Sequence, residues 1–125
     1  MAAMPSREYW QQMADGLALA TDAFIDGRYV AAASGARFAC VSPVDGRVLG
    51  QVADSGHEDV ERAVAAARRS FEAGHWSSAR PAHRKQVLLR LATLVEQHAE
   101  ELALLETLDM GKPVRYARSV DVNRA

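Results

Sequence analysis

The chain has 125 residues, enough for one domain, and its 49% hydrophobic share can supply a core of ordinary size. Fifteen basic residues against sixteen acidic ones leave a net charge of −1, which gives no electrostatic reason to expect nucleic acid or an anionic membrane as partner. The single cysteine excludes an internal disulfide and fits a reducing compartment. With no signal-like apolar core near the N-terminus and no run close to the ~20 residues of a membrane span, the expected location is cytoplasmic.

Ser6 to Ala20 predicts a leading helix, with Ser6 as N-cap and Trp10, Met13, Ala14 and Leu17 on one face. Asp26-Gly27, between Phe24-Ile25 and Arg28-Tyr29-Val30, predicts a two-residue hairpin, because both turn positions need positive φ. Ala32 to Gly35 is small enough for a loop. Phe38 to Ser42 and Val48 to Val52 read as two more strands, joined by Pro43-Val44-Asp45-Gly46. There proline presets φ and glycine accepts a left-handed position.

Ser55-Gly56-His57-Glu58 fits a capping box, in which Ser55 and Glu58 satisfy backbone donors reciprocally. The next helix places Val60, Val64, Ala67 and Phe71 on one stripe and stops at Gly74. Arg62, Arg68 and Arg69 fall mostly off that stripe and read as a solvated or partner-facing surface, supported by Glu58–Arg62 and Arg68–Glu72 pairs. Pro81 suits the first position of a further helix. Leu88, Leu91, Val95, Leu102 and Leu105 mark its buried side, widened by Val87, Leu94 and Leu108. His98 to Glu101 is either a kink between two helices or part of one. Gly111 and Pro113 end the helical run, and Asp121 to Ala125 reads as the opening of another helix.

Few of these residues offer chemistry. Cys40 is the only thiol; it lies on a predicted strand with no histidine or helix N-terminus nearby in sequence to activate it, so it reads as structural. His57, His75, His83 and His98 form no i, i+4 pair of the kind that binds zinc. Glu100-Glu101 and Glu106 with Asp109 read as solvated helix faces. Gly46, Gly50 and Gly56 are spread over turn and cap positions, so no glycine-rich dinucleotide cradle can be placed. Arg80, His83, Arg84, Lys85 and Arg90 gather at one helix start without interleaved aromatics, as a plain surface would. No catalytic and no cofactor-binding residue is expected in the chain.

Three stretches carry a resemblance. Ser42-Pro43-Val44-Asp45-Gly46, Val60-Glu61-Arg62-Ala63-Val64-Ala65-Ala66-Ala67-Arg68 and Leu105-Glu106-Thr107-Leu108-Asp109-Met110-Gly111-Lys112-Pro113 together resemble the start of an NAD(P)-dependent aldehyde dehydrogenase. The likeness runs from about Phe24 to Arg118. Tyr9-Trp10-Gln11-Gln12-Met13-Ala14 and Glu100 to Glu106 look most like the subgroup that oxidises γ-glutamylamino-butanal in putrescine catabolism.

The resemblance implies an α/β fold of aldehyde dehydrogenase type, N-terminal part only. Its expected parts are a leading helix, two β-hairpins and two long amphipathic helices, with no complete Rossmann domain. Residues 1–22 would be an N-terminal helical extension, and 23–125 the N-terminal part of the enzyme domain, truncated at its C-terminus. In the family a cysteine thiolate attacks the aldehyde, hydride passes to the nicotinamide, and a glutamate activates water. None of these groups maps onto residues 1–125. The NAD or NADP of the intact parent would therefore not be bound by this chain alone, and the aldehyde would be a partner only of the intact enzyme, usually a homo-oligomer.

The resemblance also implies a structural monovalent cation, with the Val41 carbonyl and the Asp109 carboxylate as ligands. A hard cation favours such oxygens. The alternative is that Asp109 caps or pairs near a helix end. Ser42 stands where asparagine commonly precedes the proline. Arg80 stands where a Ser, Thr or Asp cap is common, a loss of about 1 kcal/mol.

Two functions are then in play: an enzyme fragment inactive alone, or a non-enzymatic helical interaction module that keeps the family's N-terminal scaffold. Both predict exposed apolar stripes at Val60–Phe71 and Leu88–Leu108, because two helices and short hairpins cannot bury every stripe.

Overall fold

The computed structural model describes residues 5–125, a mixture of helices with two small antiparallel sheets. Asp26 and Gly27 take φ of 55° and 79°, and the chain doubles back between β1 (Ala23–Ile25) and β2 (Arg28–Val30) as their sequence requires. Ile25 faces Arg28 across the turn, and the Phe24–Tyr29 pair meets edge to face at 5.2 Å. The second hairpin joins β3 (Arg37–Val41) to β4 (Val48–Ala53). Gly46 sits at φ 72° and donates to the Ser42 carbonyl, while the Ser42 N–H donates to Arg47. The helices are α1 (Arg7–Asp15), α2 (His57–Glu72), α3 (Pro81–Gln97), α4 (Ala99–Met110), α5 (Val114–Tyr116) and α6 (Val122–Arg124), the last two linked by a π-helical turn at Ala117–Asp121. Among the described residues no helix is long and apolar enough to cross a membrane.

Two compact units divide the chain. The first holds residues 5–19, Val41–Leu49 and Leu89–Ala125; the second holds Ala20–Cys40 and Gly50–Leu88.

In the first unit, Ser6 caps α1 by accepting from the Tyr9 N–H at 3.2 Å. Trp10 is buried, and Met13, Ala14 and Leu17 are half-buried on the expected face. The helix stops at Asp15, short of Ala20, because Gly16 frees the backbone and Leu17 closes back on Ala14. α4 buries Ala103 and Leu104, whereas Leu102 remains 37% exposed and Leu105 and Leu108 are half-buried. The buried seam is thus rotated from the one the leucines predict, and α1, α5 and the π turn pack against α4. The same packing carries helical structure from Val114 onward, well before Asp121. Ala117, fully buried, anchors that segment, which is too short to be helical on propensity alone.

His98 breaks the long helical run, with φ −102° and ψ 17°, so α3 and α4 are separate helices. α3 buries nothing: Leu88 and Leu91, expected inside, are each 55% exposed. Val60, Val64 and Phe71 on α2 are likewise more than half exposed. The exposed apolar stripes are therefore present on both helices.

In the second unit, α2 turns Asp59 and Ala66 inward instead of that stripe. Asp59 is the reason. Its carboxylate accepts from the Ala33 N–H at 3.0 and 3.2 Å and from the Gly56 N–H at 3.1 Å, with Arg62 at 3.5 Å. Capping therefore falls to Gly56 and Asp59, one residue later than the Ser55–Glu58 box, and Arg62 reaches Asp59 where Glu58 was expected. The Arg68–Glu72 pair forms at 4.0 Å, at the long end of an ion pair on an exposed face. Arg37 draws β3, β4 and the entry to β1 together. Its guanidinium donates to Asp22 and Thr21, both at 2.9 Å, and to the Gln51 carbonyl at 2.8 and 3.1 Å.

Replacing Asp59 with alanine strands two backbone N–H groups and the Arg62 charge, at a cost of about 3 kcal/mol. Asp59→Asn, which keeps an acceptor, loses less. Denaturant midpoints of the two variants check the order, and equal midpoints would contradict it. Glycine at 111 is favoured on two counts: φ is 72°, and an added Cβ would lie 3.1 Å from Pro43. At Gly46, also φ 72°, a Cβ would meet open space. Gly46→Ala then costs about 1 kcal/mol of backbone strain, and Gly111→Ala costs more. Thermal unfolding of the pair reads the difference.

Candidate functional site

The motif after β3 and the motif ending α4 come together within the first unit. Gly111 closes α4 in a left-handed conformation, its N–H donating to Thr107 at 2.9 Å. That sharp exit brings the backbone against the ring of Pro43 and the side chain of Val44. Ser42, only 4% exposed, fixes the turn: its hydroxyl accepts from the Val44 N–H at 3.3 Å. The same hydroxyl, and then the Arg47 N–H, hold the Asp45 carboxyl below its usual range. Lys112, just past the cap, forms an ion pair with Asp121 and so ties the exit of α4 to the π turn.

Val41 is the last residue of β3 and Asp109 lies one residue before the end of α4. Both are exposed, and both flank the Gly111–Pro43 contact by two residues in sequence. Among the described residues no three His, Cys, Asp or Glu side chains come together to hold a metal ion. A carbonyl and one carboxylate suit a weakly charged alkali cation better than a transition metal, whose sites are built from imidazole and thiolate. Two oxygens are also too few to bind such an ion alone.

The other polar groups act locally. Glu100 receives the Tyr9 hydroxyl at 2.7 Å and pairs with Arg118 at 3.2 Å, linking α1, α4 and the π turn. His98 lies 3.0 Å from Glu101, and His57 lies 3.9 Å from Glu61, each within one helix turn. Cys40 is half-buried in β3.

Local sequence patterns miss two of these contacts. The Tyr9–Glu100 contact spans 91 positions, beyond any local pattern. Asp59 carried a signal, an acid three residues after a possible Gly56 cap, but the neighbouring Ser-x-x-Glu pattern competes with it.

Donation to Glu100 raises the Tyr9 pKa above the usual tyrosine value, aided by desolvation and the Glu100 charge and opposed by Arg118. Because the folded value lies above the unfolded one, the tether is intact below the ordinary tyrosine range and is lost as pH rises through the raised value. Tyr9→Phe should remove a tyrosine that ionises above the usual range from an ultraviolet titration and flatten the alkaline fall in stability. A titration unchanged by the substitution would contradict this.

A family model described as "Aldehyde dehydrogenase family" matches residues 29–125. The NADP/NAD-dependent aldehyde dehydrogenase PuuC of Escherichia coli is 50% identical over 114 residues, covering 91% of this chain and 23% of that enzyme. Aminoacetaldehyde dehydrogenase of Pseudomonas aeruginosa is 48% identical over 122 residues, 98% of this chain and 25% of that one. Among solved structures, the indole-3-acetaldehyde dehydrogenase AldA of P. syringae, a mutant in complex with NAD+, superposes with a TM-score of 0.93 at 52% identity, over 96% of this chain and 24% of the other. Gamma-glutamyl-gamma-aminobutyraldehyde dehydrogenase from Burkholderia cenocepacia superposes with a TM-score of 0.90 at 53% identity, over 93% and 24%. The chain spans about a quarter of the length of these relatives and corresponds to their N-terminal part. It belongs to the aldehyde dehydrogenase family.

Proposed function

We propose that these residues are the structural N-terminal part of an enzyme that oxidises an aldehyde, by preference an amino-aldehyde, to a carboxylic acid with NAD or NADP. The chain supplies scaffold and carries none of the reacting groups. The observation that supports this most is identity near one half, sustained over almost the whole chain, with enzymes about four times its length. Two of the relatives bear names that specify amino-aldehydes, in line with the Tyr9–Ala14 and Glu100–Glu106 stretches. The nicotinamide cofactor would supply the hydride acceptor when bound, on parts of the enzyme beyond these residues.

This chain's own residues would do three things. The apolar faces of α2 and α3, at Val60, Val64, Phe71, Leu88 and Leu91, would pack against the cofactor domain and exclude water there. The Gly111–Pro43 contact would hold the Val41 carbonyl and the Asp109 carboxylate in place for a monovalent cation completed by a further ligand. Finally, Cys40 would remain a small structural residue on β3. A cytoplasmic setting is consistent with the absence of a spanning helix among the described residues.

The direct test replaces the N-terminal quarter of the E. coli relative with residues 1–125 and assays NADH formation from an amino-aldehyde, beside the chain alone. The chimera should turn over and the chain should not. Turnover by the chain alone would overturn the scaffold assignment, and so would a folded but inactive chimera.

A further inference from the structure

We propose that the cleft between the β1–β2 hairpin and α2 binds a dianionic group of the phosphate class. The cleft has a volume of about 260 Å³ and lies wholly within the second unit. Three arginines line it: Arg28 from β2, and Arg62 and Arg69 from α2. Arg62 and Arg69 are seven residues apart, two helical turns or about 10.5 Å, and so share one face of the helix. Arg28 comes from the opposite wall. Val30 and Ala66 contribute apolar surface beside the arginines.

The charges do not cancel. Asp26 in the lining and Asp59 beside it set two carboxylates against three arginines. Each guanidinium has five N–H donors in a fork that matches a phosphate. Arg69 gives one N–H to Asp26 at 3.2 Å, and Arg62 gives one to Asp59 at 3.5 Å. Asp59 is held as well by the Ala33 and Gly56 amides. Arg28 pairs with no carboxylate among the described residues. With Arg62 and Arg69 each held by a carboxylate, Arg28 is left as the unneutralised cation, and a dianion beside it would also take up uncommitted N–H groups of Arg62 and Arg69. The pair of arginines on α2, which the sequence presents as a solvated surface, thereby gains a ligand. This inference is independent of the enzyme assignment above.

The test follows arginine N–H resonances of the nitrogen-15-labelled chain during titration with inorganic phosphate, against sodium chloride at equal ionic strength. Saturable shifts at Arg28, Arg62 and Arg69, absent with chloride, are expected. Arg28→Gln, which leaves the Asp59 contacts untouched, should weaken phosphate binding about tenfold, the loss of one charge-assisted contact. Shifts that never saturate, or that chloride reproduces, would overturn the proposal, as would undiminished affinity in Arg28→Gln. Equal affinity for succinate would overturn the phosphate class by showing that the cleft reads charge alone. Arginine signals collapsed to random-coil positions would overturn it too, since the chain would then form no cleft.

Discussion

The contact of Gly111 with Pro43 is the constraint on which the first unit turns. A helix can end in a left-handed residue at many places. Here the same residue must also admit a proline ring to within contact distance, so two independent demands disfavour a side chain. The consequence is geometric. The end of α4 and the β3–β4 turn, far apart in sequence, become neighbours, and the residues on either side of them acquire a fixed separation. Lys112 and Asp121 then carry the exit of α4 into the π turn, while Glu100 fastens the other end of α4 to Tyr9 and Arg118.

Asp59 plays the corresponding part in the second unit. A carboxylate at 2% exposure is tolerable only because backbone amides and an arginine surround it. It secures the start of α2 and the loop after β2 with one side chain. By turning inward it also rotates α2, so that the apolar stripe faces out. Helices α2 and α3 thus present more hydrocarbon than a self-contained domain of this size leaves uncovered. That surplus agrees with the chain's likeness to relatives about four times as long.

Local chemistry made much of this legible. Asp26-Gly27, Pro43 to Gly46, Ser6, Pro81, Gly74 and Gly111 each work through backbone torsion or a single hydrogen bond, and each is found where its residue type demands. Periodicity served less well. The leucine pattern across α3 and α4 marks an apolar face without saying what covers it, and burial went to Ala103 and Leu104. The helical segment from Val114 depends on packing against α4, which no window of sequence contains. Of the candidate site, Val41 and Asp109 came from family resemblance alone; no spacing rule would join positions so distant. The arginine cleft was likewise hidden, because Arg28 and Arg62 meet only once the hairpin folds onto α2.

The claim that α2 and α3 are scaffold faces built to be covered is tested most directly by amide hydrogen exchange. Protection along His57–Glu72 and Pro81–Gln97 would be compared between the 125-residue chain and the same residues within a full-length chimera. Weak protection of α3 in the chain, rising sharply in the chimera, while Gly111 and its neighbours change little, is the predicted result. Equal protection of α3 in both would contradict it.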